Sequence, residues 1–337
     1  MDAPTAGMFT PYDPPRMVYL SKRLALLLTT LLAASALIFV ALDWLPGNAA
    51  QLTLGPDASP EAVLALERQM GLDQPRWVRY GQWLTGLARG DMGMSSAYDG
   101  TPVADLLLER LAVTLPLAAL AMTLTVVLAL AAGWWAASQH GRWGDQLVMA
   151  VTQLGLAVPS FWLGMLLVLL FAVKWQWLAA GGFPGWHSGL GGGVVPGLKA
   201  LLLPAVSLAL VQAAILARIA RSALLDVAQE DFMRSARAKG LSRRAALWRH
   251  GLRHAAIPLL TLGGLQFTNL LAGAIVIENV FTLPGLGQLL AKAIANRDLV
   301  VVRNGVMLLT ATVLVLNLVV DLLHGWIDPR LRTRTAS

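Results

Sequence analysis

The chain has 337 residues, 13% of them charged and 56% apolar, with a mean hydropathy of +0.62. Soluble domains carry about a quarter charged residues, so the composition sets aside a soluble domain and points to an integral membrane protein. Cysteine is absent, which excludes disulfides and thiolate metal sites, and the net charge of +7 reads as Lys and Arg in cytoplasmic loops rather than as a nucleic-acid surface.

Residues 1–16 contain Pro4, Pro11, Pro14 and Pro15 and read as a flexible lead-in. Lys22 and Arg23 precede the first charge-free run, 24–42. It is longer than the roughly 7–15 residues of a signal-peptide core, so an uncleaved span is expected. Five more runs follow, at 111–139, 146–173, 200–217, 255–277 and 304–320. Each approaches or exceeds the roughly 20 apolar residues that cross about 30 Å of hydrocarbon. The expectation is an all-α integral membrane fold with six transmembrane helices. Pro116, Pro159, Pro204 and Pro258 lie in or at the edges of these runs, where neighbouring helices can satisfy the backbone groups a proline frees. No ionisable residue marks the middle of a run, which weakens the case for a proton-coupled carrier. Glu278 and Asp321, at the ends of the fifth and sixth runs, are expected at the membrane interface.

Between the first two runs lies the polar segment 43–110, with nine acids against five arginines. Helices are predicted over 61–70, opened by Ser59 and closed by Gly71, and over 77–87. The second would carry Trp77, Tyr80, Trp83 and Leu84 on one face, against the bundle or the membrane interface. The loop 174–199, with Trp175, Trp177, Trp186 and three consecutive glycines at 191–193, reads either as a simple aromatic belt or as an interfacial, partly irregular external loop.

The segment 218–254 holds nine Lys/Arg and three acids. The excess of basic residues places it in the cytoplasm and 43–110 outside; six spans then place both termini inside. Residues 231–247 can be helical, with a break at Gly240 and Ser242 as an N-cap. Binding of anionic lipid would account for the charge. It accounts neither for the glycine nor for a connection far longer than two helices need. A helix–Gly–helix elbow that docks a soluble partner is expected.

At these residues the chain resembles a known family. The run ARIARSALLDVAQEDFMRSARAKGLSRRAALWRHGLRHAAIPLLTLGGLQ (217–266) is similar to the coupling loop of ABC-importer permeases, above all the dipeptide, oligopeptide and nickel group. That loop carries the EAA motif, whose glycine matches Gly240. Arg234 stands at the usual glutamate position, followed by Ser235 and Ala236, and the ARAKGL pattern of the peptide branch is intact at 236–241. GLDQPRWVRYGQWL (71–84) and GDMGMS (90–95) resemble the external segment of the first permease subunit. VPSFWLGMLL (158–167), LLPAVSLAL (202–210), ENVFTLPGLGQLLAKAIANRDLVVV (278–302) and DPRLR (328–332) resemble its spans, signature and ending, in order.

The resemblance implies a type I-like importer permease fold: a cytoplasmic N-terminal segment 1–23, a transmembrane domain 24–326 with the external segment 43–110 and the coupling elbow 218–254, and a cytoplasmic tail 327–337. It implies an inner-membrane subunit that translocates peptides delivered by an external binding protein, paired with a second permease chain over two ATPases. The chain has no Gly-x-x-x-x-Gly-Lys-Ser/Thr phosphate loop, so ATP and magnesium belong to those ATPases and no cofactor is expected here. Arg234, Ala236, Arg237, Lys239, Gly240, Leu241 and Arg244 are the candidate coupling residues. In the fifth span, Gln266 and Asn269, with Glu278 beyond them, are candidates for the translocation path. His250 and His254 are spaced i, i+4 but sit in a basic block with no third ligand, so no metal site is expected. The alternatives are the same importer for nickel chelates or another small solute, or a stand-alone secondary carrier.

Overall fold

A computed structural model describes residues 16–44, 54–55, 58–69, 71–188 and 191–327. The proline-rich lead-in up to Pro15, Met70 and the tail with Arg330, Arg332, Arg334 and the DPRLR ending lie outside the described residues. Apart from one isolated bridge between Met94 and Pro102, the regular structure described is helical. Among the described residues, five helices are long and apolar enough to cross a membrane unaided: α1 (Arg16–Asp43), α4 (Val103–Ser138), α7 (Val194–Val227), α10 (Leu252–Val280) and α12 (Leu299–Ile327). The third expected span is not one helix. It is divided into α5 (Trp143–Ala157) and α6 (Ser160–Leu167), the latter running into a π turn at Val168–Lys174, with a 102° bend between the halves. Pro159 is the cause. Its ring forces Val158 out of the helical region, to φ −97° and ψ 123°. Pro116, Pro204 and Pro258 are absorbed within α4, α7 and α10.

The shorter helices sit at the two ends of the bundle. α2 (Pro60–Gln69) and α3 (Arg76–Arg89) fall in the segment between α1 and α4. α8 (Asp231–Ala238) and α9 (Arg243–Ala246) lie between α7 and α10, with a π turn at Leu247–Gly251, and α11 (Leu286–Ala295) links α10 to α12.

α7 is the central helix. Leu201, Leu208, Ala209, Ala217, Ala220 and Leu224 are buried along its length. Small residues let α4 approach it closely: a Cβ added at Gly133 would stand 2.6 Å from the Ala220 Cβ and 2.9 Å from the Ala217 carbonyl oxygen. Only glycine permits that contact, and close backbone approach is how helices gain packing in lipid. At 1.5 Å per residue, α4 and α7 are each about 50 Å long and overreach about 30 Å of hydrocarbon.

α1 packs on α12. At the elbow end of the bundle, Arg23 donates to Asp321 at 2.5 Å. At the far end, α3 lies over the same pair. Trp83 is buried and donates its indole N–H to the Asn304 amide oxygen at 2.8 Å, and Tyr80 bonds Ser35 at 2.8 Å beside Phe39. The expected apolar face therefore holds for Tyr80 and Trp83, whereas Trp77 is exposed. The loop after α6 is irregular, with Trp175 and Trp177 clustered on Phe171 and the Trp186 indole bonded to the Ala112 carbonyl at 2.8 Å.

Glu278 corrects the sequence reading. It was expected at the interface, and it is fully buried. A buried carboxyl must have its hydrogen-bonding capacity met, and here it is. The Thr114 hydroxyl lies 2.5 Å from one oxygen, and the backbone N–H groups of Gly287 and Gln288 donate to the other at 2.7 and 3.3 Å. Thr114 in turn accepts from the Leu286 N–H. The glycines of the FTLPGLG stretch make room for this, since a Cβ at Gly285 would run into the carboxyl. Asp298 does the same for α12, accepting from Ser95 Oγ at 2.5 Å and from the Ala97 and Val301 N–H groups at 3.1 Å.

Candidate functional site

The elbow is built from its local sequence. Glu230 is extended and Asp231 sits in the first turn of α8, where a negative charge favours the helix dipole. The helix ends at Ala238. Gly240 then takes φ +94°, a conformation that costs an L side chain about 1–3 kcal/mol. Ser242 restarts the helix, its hydroxyl accepting from the Ala245 N–H at 3.3 Å. The break at Gly240 and the cap at Ser242 are where the sequence puts them.

Two anchors hold the elbow to the bundle. Met233, on α8, is fully buried with Leu224, Ala246 and Leu247. The second half of the elbow rests on the end of α4, with Trp248 edge-on to Trp134 and the Arg244 guanidinium 5.4 Å above the Trp135 ring. With Met233 turned inward, the candidate coupling residues are left facing out. Arg234, Arg237, Lys239, Gly240 and Arg244 are exposed, and Ala236 and Leu241 are half-buried. Arg234 makes a solvated pair with Asp231 at 3.3 Å, a contact of little energetic weight. Behind α8 lies a cleft of about 470 Å³, lined by His140, Asp226, Gln229, Met233, Arg237 and Arg243.

One cluster at this end has no counterpart in the sequence reading. Asp145, buried on the first turn of α5, takes both a 2.5 Å bond from Arg221 Nε and a 2.7 Å bond from Arg221 Nη2. The Gly141 N–H adds a third at 3.1 Å, and His140 Nδ1 stands 3.2 Å from Arg221 and 3.3 Å from Asp145. The available signal was a lone acid at the very start of a run built for lipid.

Of the three path candidates, Gln266 and Asn269 meet and Glu278 stands apart. Gln266 is buried and accepts from Asn269 Nδ2 at 3.1 Å, Asn269 itself is exposed, and Glu278 is enclosed at the far end of the same helix.

Apolar helices long enough to span a bilayer, joined at one end by a basic, outward-facing elbow, define a multi-pass membrane protein. The family described as the inner membrane component of binding-protein-dependent transport systems matches residues 129–333, and the N-terminal family of the same membrane components matches residues 16–118. The glutathione transport system permease protein GsiC of Escherichia coli (strain K12) is 38% identical over 314 residues, covering 93% of this chain and 98% of that protein. A Brucella abortus (strain 2308) protein, provisionally named a peptide transport system permease, is 41% identical over 312 residues, or 92% and 98% of the two chains. The chain belongs to the family of inner membrane components of binding-protein-dependent transport systems, the permeases of ABC importers. It is a multi-pass inner-membrane subunit and not an enzyme; the family works with a separate ATPase and a substrate-binding protein.

Proposed function

We propose that this chain is one of two different permease chains that together form the path of an ATP-driven peptide importer, with the elbow as its joint to two ATPase subunits. Peptide is the favoured cargo because the relatives are named for glutathione and peptide transport. The observation that carries the coupling role is the outward display of Arg237, Lys239, Gly240 and Arg244 around a fully buried Met233. The basic side chains are available to carboxylates on an ATPase, while the methionine ties α8 to α7. The charge excess favours a cytoplasmic elbow, with both termini on that side and the segment 43–110 facing the binding protein. ATP and magnesium act in the ATPases. Closure of the ATPase dimer pushes the elbow, and α7 and α10 tilt toward an outward-open arrangement, because packed helices move between discrete packings. Asn269 is the favoured path residue, with Gln266 beside it. Glu278 holds α11 against α4 at the outer end.

The test is uptake of a labelled dipeptide and of glutathione by vesicles containing the complete complex. ATP-dependent uptake that requires the binding protein supports the reading. Binding-protein-independent uptake driven by an ion gradient would replace it with a secondary carrier.

A further inference from the structure

α5 is fastened unevenly. At one end the 102° bend at Val158–Pro159 separates it from α6. Along its middle the packing is incomplete: an apolar groove of about 450 Å³ runs beside it, lined in part by Leu128, Val151, Leu154, Trp162 and Val211. Its close approach to α7 is at Gly155, where a Cβ would come 3.0 Å from Ala214. At the other end it is held by the bidentate Asp145–Arg221 pair, whose carboxylate is 6% exposed. Arg221 lies on the last turns of α7, just before the elbow, on the stretch whose Ala217, Ala220 and Leu224 pack with Met233, Ala246 and Leu247.

A buried, hydrogen-bonded ion pair is costly to separate, because removing one partner leaves the other charge uncompensated. Loose apolar packing yields more easily. When the end of α7 moves, the start of α5 is therefore obliged to follow, and the slack is taken up at the proline break.

We propose that Asp145 and Arg221 are positioning residues for energy coupling: the pair ties α5 to the elbow, so that this half-span moves with it as a lever hinged at Val158–Pro159. The proposal rests on the reading of the elbow as the ATPase joint. Neither residue touches cargo or nucleotide. Their part is to carry the elbow's displacement across to the third span.

The chain has no cysteine, so reporters can be placed at chosen sites in it once the partner subunits have been made cysteine-free. Spin labels at Leu147→Cys on α5 and Leu166→Cys on α6, both exposed, measure the distance across the hinge in the complete complex, without nucleotide and with ATP trapped. The same complexes are assayed for uptake and ATP hydrolysis with Asp145→Asn, Arg221→Gln, Arg221→Lys and the double variant Asp145→Asn/Arg221→Gln, and with Gly240→Leu as the elbow control.

The expected result is an ATP-dependent distance change in the otherwise unaltered complex. It is lost in Asp145→Asn and Arg221→Gln, with uptake per ATP falling about tenfold, the scale of a typical coupling energy. The double variant is no worse than either single one, and Arg221→Lys, which keeps the charge, retains part of the change. A hinge distance that does not respond to ATP, or that responds equally in the variants, overturns the proposal. So does failure of every pair variant, Arg221→Lys included, to assemble, which would make the pair a folding contact. If Gly240→Leu is uncoupled while the pair variants transport normally, the lever fails and the elbow reading stands. If Gly240→Leu transports normally, the elbow reading fails and the lever falls with it.

Discussion

At Gly240 nothing lies within 4 Å of where a Cβ would stand. The glycine is there for its backbone, not for room, and this sets the order of effects. Asparagine tolerates positive φ better than other L residues, so Gly240→Asn should impair ATP-dependent uptake least, Gly240→Ala more and Gly240→Val most. Equal uptake by all three, measured in vesicles, would contradict the turn as the functional element. Glu278 is the opposite case, where surroundings decide. In Glu278→Gln, one acceptor oxygen becomes a donor facing groups that already donate. Leaving such buried groups unsatisfied costs about 1–3 kcal/mol, so the purified chain should melt at a lower temperature. An unchanged melting temperature would mean that the carboxyl is not the staple between α4, α10 and α11.

At the scale of the element, the elbow was legible because its signals are local. A glycine amid arginines, a serine two residues later and an unneeded length can be read from one stretch. What fixes the elbow was not legible. Met233 looks like any apolar residue among basic ones, and its burial depends on Leu224 and Leu247, which only the fold brings beside it. Replacing it by alanine should cost about 2–5 kcal/mol of local stability, while leucine, of similar volume, should cost much less. The predicted readout is faster trypsin cleavage at Arg237 and Lys239 in Met233→Ala but not in Met233→Leu. Cleavage at the unaltered rate in Met233→Ala would remove the methionine as anchor. The third span shows the same limit. The length and apolarity of its run predict one crossing, and the bend follows from Pro159, whose effect depends on whether neighbours hold the two halves in line. Pro116, Pro204 and Pro258 were held; Pro159 was not.

For the whole molecule, the two faces divide the labour. At the far face, Glu278 and Asp298 are buried carboxyls that fasten α11 and α12 to residues more than 160 positions earlier in the chain. No reading of runs and charges could pair them, and a charge at the end of a run is by default placed at the interface. At the elbow face Arg234, Arg237, Lys239 and Arg244 stay exposed while α8 and α9 turn Met233 and Ala246 inward, so the basic surface was visible in composition, whereas its anchors and the buried Asp145–Arg221 pair were not. On the proposed function, this face is where the chain meets its ATPases. Co-purification tests it most directly, with this chain, a second permease and the ATPases expressed together and captured on this chain, unaltered and as Gly240→Leu. The ATPases are expected to come down with the unaltered chain and to be lost or strongly reduced with Gly240→Leu, while the second permease is retained in both. ATPases retained equally by both chains, or absent from the unaltered chain with every partner present, would contradict it.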